Sequence, residues 1–188
     1  GFVIDRLLAG AVPGVRIDRE RLAVGGHSYG AWAALELMGQ ASLPGIEPDP
    51  RPAAVFAVSP IGPGIWGLEA DSWDDLRGPA FFLTGDEDTT IGTADWRSRL
   101  VPFRHGGARP AWSVVVARAR HHAFGDYRFP YRDIHRDRRH HGWMLATLGA
   151  FLDATVRGDP AARAWLASDA AAHLSDGGVQ IAHRPRTK

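Results

Sequence analysis

The sequence predicts an α/β fold with an open parallel sheet that is flanked by helices. Four short apolar runs alternate with segments of helical pattern, and each run is apolar at successive positions rather than at every second one. Strands that are buried on both faces have this composition, as in a parallel sheet covered by helices. The runs recur about every 30 residues, which is the length of one strand–helix unit. The predicted strands are residues 22–25, 53–58, 79–84 and 112–117.

Helices are predicted between and after these strands. Residues 29–39 are rich in alanine, which lets a helix pack close to a sheet, and residues 143–156 have the clearest amphipathic pattern. Further helices are predicted at residues 2–9, 93–103 and 159–175. We therefore expect a single domain over residues 1–175, followed by a polar, frayed tail at residues 176–188.

Composition and charge exclude several classes of function. Of the 188 residues, 45% are hydrophobic and 23% are charged, as is usual for a globular protein, and the formal net charge is +1. This near-neutral balance argues against an extended nucleic-acid surface. No apolar run has the length of a membrane span, and the absence of cysteine excludes disulfide and thiol chemistry. No signal peptide is visible, but the sequence begins at Gly1 without a methionine, so this says little about location. A cytoplasmic location is only slightly favoured, and the compartment and the oligomeric state stay open.

A serine between the first predicted strand and the next helix has the setting of a nucleophile elbow. The Gly-His-Ser-Tyr-Gly sequence at residues 26–30 places Ser28 on a sharp strand–turn–helix connection. Gly26 and Gly30 are predicted to avoid side-chain collisions in this tight turn. The first N–H groups of the helix, beginning with that of Tyr29, are available to stabilise a developing oxyanion.

Candidate acids and bases follow two later strands. The carboxyl ends of parallel strands gather at one edge of a sheet, which is where ligands bind. Asp86, Glu87 and Asp88 follow the third predicted strand. His121 and His122 follow the fourth. A serine nucleophile needs a histidine to take its proton, and a carboxylate orients that histidine and stabilises its charged form. The residue types alone leave open which carboxylate and which histidine take part.

These features resemble the α/β-hydrolase superfamily, in particular serine esterases related to dienelactone hydrolases, platelet-activating-factor acetylhydrolases and plant chlorophyllases. The chain order of serine, aspartate and histidine is that of the superfamily. The matching segments are residues 21–30, 83–88 and 121–127, and residues 143–166 resemble the closing helices of the family.

The resemblance implies a choice among the candidate acids and bases. The family places its acid three residues after the glycine that ends the strand, here Gly85, which selects Asp88 over Asp86. It often places a phenylalanine three residues after its histidine and sometimes an aspartate two residues later. Phe124 and Asp126 fit these offsets from His121, which favours His121 over His122.

The resemblance also implies that part of the family fold is missing. Family members have several strands before the elbow, so the four predicted strands would be strands 5–8 of the family sheet. The chain would then be the C-terminal part of a longer hydrolase, and its elbow strand would be an exposed edge. The second oxyanion donor of the family comes from a loop before the elbow, so the Tyr29 N–H is the donor assigned here.

Two further residues are predicted to bind the substrate. They are His27, beside the nucleophile, and Trp66, in the irregular segment after the second strand; anchoring of that segment on the core is the alternative for Trp66. The arginine- and histidine-rich residues 128–141 are expected to form a solvated loop. They lack an acidic or cysteine complement at a recognisable spacing, so no metal site is expected, and no other cofactor is implied.

We therefore expect a serine hydrolase that cleaves small-molecule carboxylic esters through an acyl-enzyme. Ser28 would attack the carbonyl, His121 would act as base and then as acid, and Asp88 would orient His121. Peptidases and acyltransferases use the same chemistry and are the alternatives among enzymes. Outside enzymes, the alternative is a truncated, inactive or ligand-binding remnant.

Overall fold

A five-stranded sheet forms the centre of the protein. The computed structural model describes residues 1–90, 92–93, 95–125 and 138–185. The strand order is β1-β2-β3-β4-β5; the first four strands are parallel, and β5 runs antiparallel to β4. The strands are β1 (Ala23–His27), β2 (Ala54–Val58), β3 (Ala80–Gly85), β4 (Ala111–Val116) and β5 (Val179–Arg184). The predicted α/β fold is therefore confirmed, and each of the four predicted strands lies within two residues of its expected bounds.

The last strand corrects the expectation for the C-terminal segment, which is not frayed at residues 179–184. These residues pair with β4 in a register that joins Val179 to Val116. Val179 is fully buried, while Gln180 and Ala182 are exposed. A strand at a sheet edge needs only one apolar face, so a polar composition is compatible with pairing. Polarity alone was therefore a poor indicator of disorder in this segment.

Helices cover both faces of the sheet and account for the unbroken apolar strands. Neighbouring residues of β3 point to opposite faces: the ring centroid of Phe81 lies 5.3 Å from that of Phe151, and the centroid of Phe82 lies 6.5 Å from that of Phe103. Each face has its own hydrophobic core. The α-helices are α1 (Phe2–Leu8), α2 (Tyr29–Leu37), α3 (Val101–His105), α4 (Arg138–Leu152), α5 (Pro160–Leu166) and α6 (Ala170–Leu174). Short 3₁₀-helices lie at Trp96–Leu100 and His121–Phe124, and a π-helical turn, Asp153–Arg157, continues α4.

The parallel strands place three turns at one edge of the sheet. β1 leads directly into Ser28, β3 into residues 86–88, and β4 into the turn that precedes His121. Within the described ranges, none of the helices is both long enough and apolar enough to cross a membrane.

Candidate active site

Ser28 occupies a strained turn between β1 and α2. Its backbone has φ 56° and ψ −114°, a conformation that L-residues rarely adopt and that costs on the order of 1–3 kcal/mol. The turn is tight on one side only. A Cβ at Gly26 would lie 2.5 Å from the carbonyl carbon of Gly30, whereas a Cβ at Gly30 would meet no atom within 4 Å. The predicted steric need for glycine therefore holds at Gly26, where a side chain would collide with the backbone of Gly30. It is wrong at Gly30, where a side chain would point into open space.

A continuous chain of hydrogen bonds joins Ser28, His121 and Asp88. His121 Nε2 lies 2.9 Å from Ser28 Oγ, and His121 Nδ1 lies 2.8 Å from Asp88 Oδ1. An ionised carboxylate only accepts hydrogen bonds, so Nδ1 carries the imidazole proton and Nε2 is left to accept from the serine hydroxyl. This is the arrangement in which the hydroxyl proton can pass to the histidine as the serine attacks.

Asp88 is held as a charged group inside the protein. Its side chain is fully buried. Thr84 Oγ1 donates a hydrogen bond of 2.9 Å to Oδ2, and Arg99 Nε lies 3.0 Å from Oδ1. Burial by itself opposes ionisation, but the hydrogen bond from His121 and the positive charge of Arg99 outweigh it and hold the pKa of Asp88 below the ordinary value of a carboxyl.

Arg99 is a buried cation that links several turns of the site. Its side chain is 1% exposed. Its guanidinium donates to the backbone carbonyls of Ser59, Pro60 and Asp88 at 2.9–3.1 Å and to Thr90 Oγ1 at 3.0 Å. Sequence reasoning missed Arg99 and Thr84. A polar residue within the apolar run of β3 was the available signal for Thr84, whereas Arg99 lies among other arginines and has no local signal.

The alternative acids and the alternative histidine lie outside the hydrogen-bonded chain. Asp86 is exposed and accepts a hydrogen bond from the backbone N–H of Arg118. Glu87 is also exposed, and its carboxylate lies 3.0 Å from Arg120 Nε. His122 is exposed and contacts the His121 ring edge-on, with 5.2 Å between the ring centroids. Asp88 and His121, rather than these neighbours, make the contacts that the resemblance implied.

A glycine at the end of β3 brings the acid and the histidine together. A Cβ at Gly85 would lie only 1.9 Å from the carbonyl oxygen of Ala119. The Glu87 N–H donates to the same oxygen at 3.3 Å. The turns after β3 and β4 are therefore packed backbone against backbone, which keeps Asp88 within reach of His121.

His27 contacts His121 in the described structure. Its Nε2 lies 2.8 Å from the His121 carbonyl oxygen, and the two ring centroids are 4.7 Å apart. Burial and the neighbouring His121 lower the pKa of His27 to about 4. His27 is therefore neutral at physiological pH, with the proton on Nε2, and it helps to hold the backbone of His121 in place.

Tyr29, the residue after Ser28, has its ring against that of Trp66. Tyr29 is the first residue of α2, so its N–H belongs to the first helical turn, whose donors have no acceptor within the helix. The ring centroids of Tyr29 and Trp66 are 5.5 Å apart. Trp66 is half-exposed and does not serve as a buried anchor for its segment.

A cleft that borders His121 is lined by side chains of both charges. Its volume is about 740 Å³, and it is bordered by His121, Glu87, Arg97 and Arg120. It offers room for a small molecule next to the imidazole.

Two features singled out in the sequence fall partly or wholly outside the described residues. Asp126 and most of the arginine- and histidine-rich segment lie in the range 126–137, outside the residues that the structure describes. In the part of the chain that the structure does describe, no group of three or more histidine, cysteine, aspartate or glutamate side chains is arranged to hold a metal ion.

Comparison with known proteins does not assign the chain to a family. No protein-family model matches the chain, and a search of curated proteins found none that matches it. Fold and contacts therefore define an α/β protein with a hydrogen-bonded serine, histidine and aspartate at the carboxyl edge of its parallel strands.

Proposed function

We propose that the protein is a serine hydrolase of carboxylic esters, of the α/β-hydrolase type. The observation that carries the proposal is the chain from Ser28 Oγ through His121 to the buried Asp88, with links of 2.9 and 2.8 Å. The strained backbone of Ser28 and the positions of the three residues after β1, β3 and β4 support it.

The reaction proceeds in two stages. In the first, Ser28 Oγ attacks the ester carbonyl while His121 Nε2 takes the hydroxyl proton, and the resulting tetrahedral intermediate carries its negative charge on the former carbonyl oxygen. His121 then gives the proton to the departing alkoxide. The alkoxide leaves as an alcohol, and the acyl group stays bound to Ser28 Oγ. In the second, His121 takes a proton from water and the resulting hydroxide attacks the acyl carbonyl. His121 then returns the proton to Ser28 Oγ as the acyl bond breaks, which releases the carboxylic acid and restores the free serine hydroxyl.

The surrounding charges favour the charged intermediates. The buried carboxylate of Asp88 stabilises the imidazolium of His121 and keeps Nε2 directed at the serine. The N–H of Tyr29, at the positive end of α2, donates to the oxyanion. Loss of one such donor typically costs about 100- to 1,000-fold in rate, so the position of α2 relative to Ser28 is part of the machinery.

Hydrolysis of nitrophenyl esters by the wild type and by Ser28→Ala tests the proposal. We expect the variant to lose about a million-fold in kcat, because no other group replaces the nucleophile and only the residual contribution of binding and the oxyanion donor is left. Ser168→Ala is the matched control, since Ser168 is exposed in the turn after α5 and its hydroxyl bonds only to nearby backbone, donating to the Trp165 carbonyl and accepting from the Ala170 N–H.

A fluorophosphonate probe separates the remaining alternatives. Ester turnover with labelling of Ser28 supports the esterase, and turnover confined to amides or to acyl transfer identifies a peptidase or an acyltransferase. Equal background hydrolysis by the wild type and Ser28→Ala, with no labelling of Ser28, would refute the proposal and leave a non-catalytic remnant. Labelling without turnover would show that Ser28 is activated but that the oxyanion is not stabilised enough for catalysis.

A further inference from the structure

We propose that Tyr29, Trp32 and Trp66 form an aromatic subsite that binds a planar aromatic ring of the ester substrate. The inference rests on the proposed function, because the subsite gains its purpose from the neighbouring nucleophile. We name these three side chains the aromatic corner.

The aromatic corner begins one residue from the nucleophile. Tyr29 follows Ser28 in the chain, and Trp32 lies one helical turn further along α2. Their rings are stacked, with 5.3 Å between centroids and 26° between planes. The ring of Trp66 stands nearly perpendicular to both, at 78° to Tyr29 and 80° to Trp32. A carbonyl held at Ser28 therefore has the aromatic corner within the reach of one substituent.

The aromatic corner is exposed yet fixed in place. Tyr29 is 61% exposed and Trp66 is 52% exposed, so neither ring is used to fill the core. Trp32 is partly buried, and its Nε1 donates a hydrogen bond of 3.0 Å to Ser42 Oγ, which sets the orientation of its ring. A preformed surface binds a ligand with a smaller loss of entropy than a mobile one.

The loop that carries Trp66 directs this ring outward at a cost in backbone energy. Trp66 has φ 52°, in the left-handed region that disfavours a bulky residue. The Gly64 N–H donates to the Leu68 carbonyl at 2.7 Å, and the Leu68 side chain is fully buried. Leu68 thus anchors the loop on the core while Trp66 points away from it. Strain of this kind is typical of residues that are positioned for a ligand.

The geometry favours a planar aromatic ring over a saturated one. Aromatic pairs prefer offset-stacked or edge-to-face contacts, and the aromatic corner offers both at once because one ring is perpendicular to the other two. A saturated ring of similar size buries similar area but lacks these contacts. Two such contacts correspond to a preference of about tenfold for the aromatic ring.

Two matched ester pairs measure this preference and locate the ring in the substrate. One pair is benzyl acetate and cyclohexylmethyl acetate, which differ in the alcohol; the other is methyl phenylacetate and methyl cyclohexylacetate, which differ in the acyl group. In neither pair is the ring conjugated with the ester, so reactivity is closely matched. We expect kcat/KM to be about tenfold higher for the aromatic member of at least one pair, mainly through KM, and the pair that responds identifies the side that enters the aromatic corner.

Variants of Trp66 test whether the aromatic corner causes the preference. Trp66→Leu should reduce the ratio of kcat/KM within the responding pair to about one, and Trp66→Phe should retain most of it. Phe2→Leu is the control, because Phe2 is an exposed aromatic residue (76%) on α1, away from the aromatic corner. Its neighbour Gly1 lies near Leu37, the last residue of α2, whereas Tyr29 is the first. Phe2→Leu should leave the ratio unchanged.

Equal kcat/KM within both pairs, or a ratio that survives Trp66→Leu, would overturn the aromatic subsite even if ester hydrolysis is confirmed. Equilibrium dialysis of the same esters with Ser28→Ala keeps the two proposals distinct, since it needs no turnover. Binding of the aromatic member that is lost on adding Trp66→Leu would support the subsite even if the wild type hydrolyses nothing. Equal binding of the aromatic and saturated members would contradict it.

Discussion

Replacement of Arg99 by methionine should destabilise the protein strongly, because it leaves a buried carboxylate without its cation. Arg99 is 1% exposed, its Nε lies 3.0 Å from Asp88 Oδ1, and it donates to three backbone carbonyls and Thr90 Oγ1. Removing one partner of a buried ion pair typically costs about 3–5 kcal/mol, which is a large part of the roughly 5–15 kcal/mol that stabilises a native domain. Urea denaturation at neutral pH measures the difference in the free energy of unfolding.

A neighbouring arginine provides the control for this prediction. Arg97 lies on the same 3₁₀-helix, but its side chain and that of its partner Asp95 are both more than half exposed, with 3.5 Å between the charged atoms. Arg97→Met should therefore cost less than about 1 kcal/mol. Arg99→Lys keeps the charge and loses part of the hydrogen-bonding fork, so its cost should lie between the two.

A double-mutant cycle isolates the interaction between Arg99 and Asp88. The cycle combines Arg99→Met with Asp88→Asn, which keeps the shape of the side chain and removes its charge. We expect a coupling energy of about 1–3 kcal/mol, because the two charged groups are in direct contact. A cost below about 1 kcal/mol for Arg99→Met, or a coupling energy within error of zero, would refute the view that this pair holds the site together.

Three further predictions concern the surroundings of the hydrogen-bonded chain. Asp88→Asn should lower kcat by about 10,000-fold and Asp86→Asn by less than about tenfold, because Asp88 contacts His121 and Asp86 does not. A larger loss of kcat for Asp86→Asn than for Asp88→Asn would assign the role of the acid to Asp86. Thr84→Val should lower the free energy of unfolding by about 1–3 kcal/mol, measured in urea, because the buried carboxylate loses a donor at 2.9 Å. The pKa of His27 is about 4 in the folded protein against an ordinary value of 6.5. Between these two pH values the unfolded chain binds more protons than the folded protein, so the free energy of unfolding falls as the pH drops from 6.5 to about 4. His27→Gln should reduce this loss, measured as the change in urea midpoint across that pH range, and an unchanged pH dependence would argue against the depressed pKa.

The position of Ser28 and the contacts of Asp88 were predictable to different extents. The elbow at residues 26–30 is local, because the strand, the turn and the helix follow one another in the chain, and φ 56° at Ser28 agrees with it. Local sequence did not separate Asp88 from Asp86. The choice depended on a resemblance, and the contact that distinguishes them is made to His121, 33 residues away.

The sequence by itself determined the α/β class, four strands and the turns that carry the candidate site. Strands buried on both faces need unbroken apolar runs whichever helices cover them, so this information is local. The tertiary structure alone decided that residues 179–184 pair with β4, that Arg99 is buried, and that three aromatic rings meet beside Ser28. Each of these depends on groups that are distant in the chain. An edge strand needs only one apolar face, so its own sequence does not announce it. An arginine is buried only where carbonyls and a carboxylate converge on it, and Trp66 reaches Tyr29 only because its loop folds back over α2.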